Sequence, residues 1–337
     1  MLLAGDIGGT KTALAVFSEE HGPRAPIAEK VFPSGTYPSL EAIAREYITE
    51  VGLPVTRASF AVAGPVSSGR AALMNLPWVV EESALEAALG LESASLLNDV
   101  EAMAVAVPHL RPSELRTLQV GHEVPGGAIA VIAPGTGLGE AYLTWDGSRY
   151  RAHPSEGSHV DFGPTTPQQT ELLRHLQARW GRVSYERVCA GRHIPDLYDF
   201  LKSEGQIPES AAVRAEQEVV KDRTPTIMAA GLARPEPDPL CLATLNLFMS
   251  ILGSAAGNLV LAVLATGGCY IGGGIPQRVL PVATGQGQLF LATFQEKGRL
   301  SPLLARVPVH IIVEPVALLG AAIHGLDTTV SAGKVSV

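Results

Sequence analysis

Cysteine is scarce in this sequence. There are three in 337 residues, Cys189, Cys241 and Cys269, and they lie far apart. No C-x-x-C pair exists, so neither a structural zinc site nor a disulfide framework is indicated. The three are expected to be small buried apolar residues. Basic runs are also missing. The net charge is −8 with Lys and Arg scattered, which argues against nucleic acid or an anionic membrane as the main partner. The opening "MLLAGDIGG" has neither the charged n-region nor the long apolar core of a signal peptide, so a reduced, cytoplasmic location is expected. No G-x-x-x-x-G-K-[ST] sequence is present, nor the H-R-D and D-F-G pair. P-loop enzymes and protein kinases are thereby excluded. The first Gly-rich turn also lacks the dinucleotide pattern G-x-G-x-x-G.

One stretch lacks charge altogether. Residues 240–275 contain no Asp, Glu, Lys or Arg, and "LATLNLFMSILGSAAGNLVLAVLA" (242–265) is long enough to span a bilayer. Asn246, Ser250, Gly253, Ser254, Gly257 and Asn258 dilute it, and no basic cluster flanks it. A helix buried on most sides of a large domain is the expectation, with no membrane partner.

The composition is that of an ordinary globular protein, 46% hydrophobic and 17% charged, and the length allows two domains with substantial cores. The chain opens as two strands, "LLAGDI" and "TALAVF", around a "GGTK" turn, followed by a strand over 28–32. Ser39 caps a helix with apolar residues at Leu40, Ile43, Ala44, Tyr47, Ile48 and Val51, and Gly52 stops it. A strand over 58–64, a helix over 82–90, a strand over 93–98 and a helix over 100–107 follow. This order points to mixed sheets covered by helices. A second strand–turn–strand unit begins at residue 127, "GAIAVIAPGTGLGEAYLTW". The charged, Pro-containing segment near 203–239 reads as helices with exposed connections.

Both turns suit phosphate. In "GDIGGTKTALA", Gly8 and Gly9 allow backbone N–H groups close to a ligand, and Thr10 and Lys11 add donors. Asp6, at the strand end, suits a hydrated Mg²⁺. In "APGTGLGE", Gly135, Thr136, Gly137 and Gly139 repeat that chemistry. A third turn, Gly272-Gly273-Gly274, permits close approach of a flat group such as a purine. The alternative for each turn alone is a tight connection with no ligand. Duplication of the unit makes phosphate the more specific reading. Glu156, His159 and Glu186 supply two carboxylates and an imidazole, a set that suits adjacent sugar hydroxyls. Taken singly, Glu186 reads equally as a helix-dipole partner and His159 as a satisfied buried histidine. Asn98 and Asp99 stand where a strand ends and a helix begins, and either residue type is a good cap there.

The order "GDIGGTKTALA", "NLPW", "LLNDVEA", "APGTGLGEA", "SEGSHVDF", "ERVCAGRHIPDLY", "IGGGI" and "EPVALLGAA" resembles the bacterial glucokinases, ATP-dependent enzymes of the actin/sugar-kinase superfamily. The resemblance covers nearly the whole chain. It implies an α/β, two-domain, actin/hexokinase-like (ribonuclease H-like) fold, with mixed sheets flanked by helices and a cleft between the domains. A small domain over 1–108, joined by the C-terminal region 315–337, and a large one over 109–314 are expected. Asp6 and the two turns would hold ATP and Mg²⁺ (Asp6 through water), and Gly272–Gly274 would lie near adenosine. Asn98, Asp99, Gly137, Glu156, His159 and Glu186 would contact the hexose, with Asp99 as the base. The domains would close around the sugar. The implied activity is transfer of the ATP γ-phosphoryl group to the 6-hydroxyl of glucose, by a homodimer. Two alternatives stay open: a kinase for another hexose or an N-acetylated aminosugar, and a non-catalytic sugar-sensing regulator. The related repressors often carry a cysteine-rich zinc motif after the sugar-binding His, and no Cys lies near His159. With the first turn starting at residue 5, no room is expected for their N-terminal DNA-binding segment. That is a further reason to expect no nucleic-acid partner.

Overall fold

The computed structural model describes residues 1–73, 75–280 and 284–327. The chain divides into two units. One comprises Met1–Arg111, Ser148–Pro154 and the residues from Glu314 onward; the other comprises Pro112–Gly147 and Ser155–Val313. Of the C-terminal region expected over 315–337, residues 328–337 lie outside the described residues.

The first unit is built on a five-stranded sheet. Its order is Ala28–Pro33, Lys11–Phe17, Leu2–Ile7, Arg57–Val62, Ser93–Asn98. Leu2–Ile7 pairs antiparallel with Lys11–Phe17 and parallel with Arg57–Val62. Successive side chains enter opposite faces. Leu3 and Ile7 pack with Leu40, Ile43 and Tyr47 of the helix Leu40–Val51. Leu2 and Ala4 pack with Ala102 and Ala321, from the helices Asp99–Ala106 and Ala317–Leu326. Those two helices cross so closely that a Cβ at Gly320 would run into the Ala102 carbonyl. The helix Leu40–Val51 has the expected ends: Ser39 accepts from Ala42 N, and Gly52 is left-handed with φ 65°. The helix expected over 100–107 runs over Asp99–Ala106 instead. Pro108 falls inside a following 3-10 turn, Val107–His109, whose early position tolerates a missing N–H. A small sheet of Val66–Ser67, Arg70–Ala72 and Val79–Glu81 also forms. Strands of two or three residues are too short to show alternation in a sequence.

In the second unit, Ile129–Pro134 pairs antiparallel with Leu138–Trp145 and parallel with Gly268–Ile271. This repeats the arrangement at the start of the first unit. Val309–Ile312 then adds in parallel and Leu115–Gln119 antiparallel. The charge-free segment forms the helix Pro239–Val263, capped by Asp238, whose side chain accepts from Cys241 N. Of its most apolar window, 78% is buried. Gly253, Ser254, Gly257 and Asn258, which dilute its hydropathy, have packing roles. A Cβ at Gly253 or Gly257 would strike the Phe290 or Phe294 carbonyl of the helix Thr284–Gln295. Lys297 Nζ donates to Ser254 O at 3.0 Å and to Asn258 Oδ1 at 2.7 Å. The 203–239 segment contains the helices Ala211–Val219 and Thr224–Leu232, as expected. All three cysteines are free and buried.

Candidate active site

The first unit gathers its candidates at the carboxyl ends of parallel strands, where open α/β sheets bind ligands. Ile7, Val62 and Asn98 stand level across three strands. The Gly8–Thr10 turn is held from inside. Gly8 N donates to Lys11 O at 3.0 Å and Ser34 N donates to Thr10 O at 3.1 Å. Ser34 Oγ donates to Gly8 O at 2.7 Å and shares a 3.0 Å hydrogen bond with Thr12 Oγ1. The turn's carbonyls thus point inward. Among the described residues, no carbonyl accepts from the N–H groups of Gly9 or Thr10, which suits an anion. Gly9 lies against Asn75, whose Cβ would be 2.7 Å from a Cβ at position 9.

Asn98 and Asp99 take different positions at the helix terminus. Asn98 is the cap. Its Oδ1 accepts from Val100 N at 2.9 Å and Glu101 N at 3.4 Å, and its Nδ2 donates to Gly64 O at 3.0 Å. Asp99 is the first residue of the helix, and its Oδ1 accepts from Val100 N at 3.0 Å. Burial pushes the Asp99 carboxyl up to about 6, against the pull of that N–H, and the Asp6 carboxylate adds to the rise. Asp6 is itself raised by burial, with Lys11 opposing. A carboxyl near 6 is mostly ionised at neutral pH and more basic than an ordinary aspartate, as a general base requires.

In the second unit, the turn Gly135–Gly139 lies beside the segment 186–193 and the triple glycine. Gly135 N donates to Gly137 O at 2.9 Å, and Gly191 N donates to Gly135 O at 2.8 Å. Gly272 N donates to Ile132 O at 2.9 Å. Gly273 has φ 81°, and a Cβ there would collide with the Pro134 carbonyl, so both conformation and space require glycine. Glu156, His159 and Glu186 do meet. His159 Nε2 is 3.2 Å from Glu186 Oε2 and 3.7 Å from Glu156 Oε2. The His159 side chain is 53% exposed, so it is not a buried core histidine. Glu186 opens the short helix Glu186–Cys189, which satisfies the dipole reading without removing its side chain from the cluster. Gly137 borders the cluster, as a Cβ there would lie 3.7 Å from Glu186 Oε2.

Sequence reasoning missed three residues that touch these sites. Asn75 lies in the quoted "NLPW". Arg192 lies in "ERVCAGRHIPDLY", and its Nη2 is 3.7 Å from Glu186 Oε1. Glu140 follows Gly139 directly and is 7% exposed, with burial pushing it up to about 7. A Cβ at Gly157 would collide with its Oε2, so this carboxyl lies under the loop that carries Glu156 and His159. A glutamate within an alternating strand reads as a solvent-facing position, so no sequence signal marked it.

Two α/β units, each built around a hairpin with a Gly/Thr turn, are the architecture of the two-domain, hexokinase-like sugar kinases. The family model for glucokinase matches residues 3–328. A curated glucokinase of Nostoc sp. is 38% identical over 341 residues, covering 96% of this chain and 98% of the relative. The crystal structure of a glucokinase from an Antarctic psychrotroph superposes with a TM-score of 0.77 at 30% identity, covering 97% of this chain and 99% of that one. A Balamuthia mandrillaris glucokinase in complex with glucose shares the fold, with a TM-score of 0.78 at 20% identity over 96% of this chain and 93% of that one. The chain belongs to the glucokinase family.

Proposed function

We propose that this protein transfers the γ-phosphoryl group of ATP to the 6-hydroxyl of glucose, giving glucose 6-phosphate and ADP. The observation that carries this reading is the release of the Asp99 carboxyl from capping by Asn98, in a chain matched to glucokinases over 96% of its length. The transition state of phosphoryl transfer is loose, so the hydroxyl becomes acidic only as its bond to phosphorus forms. Asp99 orients that hydroxyl and takes its proton late. Glu156, His159 and Glu186 bind the other sugar hydroxyls, with Gly137 giving room beside them. Asn98 keeps one amide N–H for the sugar once its cap and its bond to Gly64 are made. The turns Gly8–Lys11 and Gly135–Gly139 bind the phosphates, and Gly272–Gly274 lies against the adenosine.

Asp6 fits a magnesium ion held through water. Its carboxyl is raised by burial, with the field of Lys11 opposing, and a divalent cation would favour its ionised form. Among the described residues, no group of three His, Cys, Asp or Glu side chains is placed to hold a metal. Mg²⁺ needs no such cage, because it keeps several waters and is held largely by substrate phosphates. When bound, the ion supplies charge neutralisation at the transferring phosphate. A homodimer in the cytoplasm completes the reading.

A coupled assay of ADP release over glucose, other hexoses and N-acetylated aminosugars, with and without Mg²⁺, tests it. Glucose-dependent ADP release with the highest kcat/KM in the panel is the expected result. Preference for an aminosugar would replace the substrate. Sugar binding without turnover would replace the enzyme by a sensor.

A further inference from the structure

We propose that Arg192 is a positioning residue that couples the occupancy of the phosphate turn to that of the sugar cluster; the inference rests on the functional reading above. The segment carrying Arg192 is fastened to the turn. Gly191 N donates to Gly135 O, and both the backbone N and the Nε of Arg192 donate to Thr136 O, at 3.4 and 3.1 Å. Thr224 Oγ1, which is buried, donates to Gly191 O at 2.9 Å and fixes the same backbone from behind. The free end of the guanidinium faces the sugar cluster. Its Nη2 is 3.7 Å from Glu186 Oε1, while Glu186 Oε2 is 3.2 Å from His159. Gly137, the centre of the turn, lies against both partners: a Cβ there would be 3.5 Å from Arg192 Nη2 and 3.7 Å from Glu186 Oε2.

Each ligand competes for one member of the Arg192–Glu186 pair. Sugar hydroxyls need Glu186 as an acceptor, and phosphate oxygens at the turn attract the planar fork of Arg192. Whichever ligand binds first loosens the pair, and the second then binds without that cost. The coupling is therefore positive and reciprocal. Arg192 is 38% exposed and Glu186 18%, so solvent screening keeps the pair weak. The coupling factor belongs at the low end of the usual range, about fivefold.

Isothermal titration of glucose into the full chain, with and without a saturating non-hydrolysable ATP analogue and Mg²⁺, reads the factor directly. In wild type, the analogue should tighten glucose binding about fivefold. In Arg192→Ala the factor should fall to about one. Glucose affinity without the analogue should tighten toward the wild-type value measured with it, which a merely structural loss would not produce. Arg192→Lys keeps the charge without the fork and should lose most of the coupling. It also serves as the second variant if Arg192→Ala fails to fold. An undiminished factor in either folded variant would overturn the inference, as would a wild-type factor of one. A wild type that does not phosphorylate glucose would instead remove the functional reading, and the inference with it.

Discussion

Asn98 caps the helix that Asp99 begins. The amide oxygen accepts from two backbone N–H groups and the amide nitrogen donates to the Gly64 carbonyl, while the carboxyl accepts from Val100 N. The two residues should therefore fail differently. Asn98→Ala should cost about 1 kcal/mol of stability from the cap, read as a lower melting temperature. Asp99→Asn should melt near wild type and still bind glucose, with kcat lower by about 10² or more. A folded Asp99→Asn enzyme with near-normal kcat would end its role as base.

The sugar cluster makes a prediction about selectivity between ligands. Glu156→Ala and Glu186→Ala remove acceptors that hydroxyl groups would use, at a cost of roughly 1–3 kcal/mol for each partner left unpaired. Glucose affinity should fall by about tenfold or more in titration calorimetry. The ATP analogue alone should bind nearly as before. Normal glucose affinity in both variants would place the hydroxyl contacts elsewhere.

Glu140 links stability to pH. Burial lifts its carboxyl from the ordinary value of 4.5 to about 7. Between those values the folded protein keeps a proton that the unfolded chain has released. Its contribution to stability therefore falls as pH rises through that window, and stays at its lower level above about 7. Its carboxylate adds to the rise of the Cys189 and Cys269 thiols, both already held protonated by burial. Glu140→Gln has no proton to lose. The melting temperature of the variant relative to wild type should rise from about pH 5 to about pH 8. A difference independent of pH would show that Glu140 titrates normally.

Gly137 separates contact from collision. A Cβ there meets Arg192 and Glu186 at ordinary van der Waals distances, so Gly137→Ala should fold and turn over. The branched side chain of Gly137→Val reaches into both partners. It should raise the KM for ATP and for glucose together, by about tenfold or more, a loss of about 1.4 kcal/mol each. Unchanged KM values in the valine variant would remove the turn from both sites.

Elements with a local cause were legible in the sequence. Ser39 and Gly52 bound their helix because a hydroxyl and a left-handed glycine act within four residues. The strand Ser93–Asn98 ended where its apolar run ended. The two hairpins were legible because a Gly/Thr turn between apolar strands fixes its own pairing. The residues missed owe their roles to chain approaches far apart in sequence. Glu140 meets Gly157 across the protein interior, and Arg192 meets Thr136 from 56 residues away. The choice between Asn98 and Asp99 as cap also turned on a distant group, the Gly64 carbonyl that anchors the Asn98 amide.

The crossing of Gly320 on Ala102 has a consequence for synthesis. The helix Ala317–Leu326 completes a core that begins with Leu2 and Ala4. Ribosomes add about 5–20 residues per second, so the first strands wait roughly fifteen seconds to a minute for their last covering helix. During that interval the face bearing Leu2, Ala4, Ala15 and Phe17 has the helix Asp99–Ala106 over it but lacks the residues Ala321 and Ala322 that complete it. A nascent chain stalled before residue 317 keeps that face partly uncovered until the final helix is made.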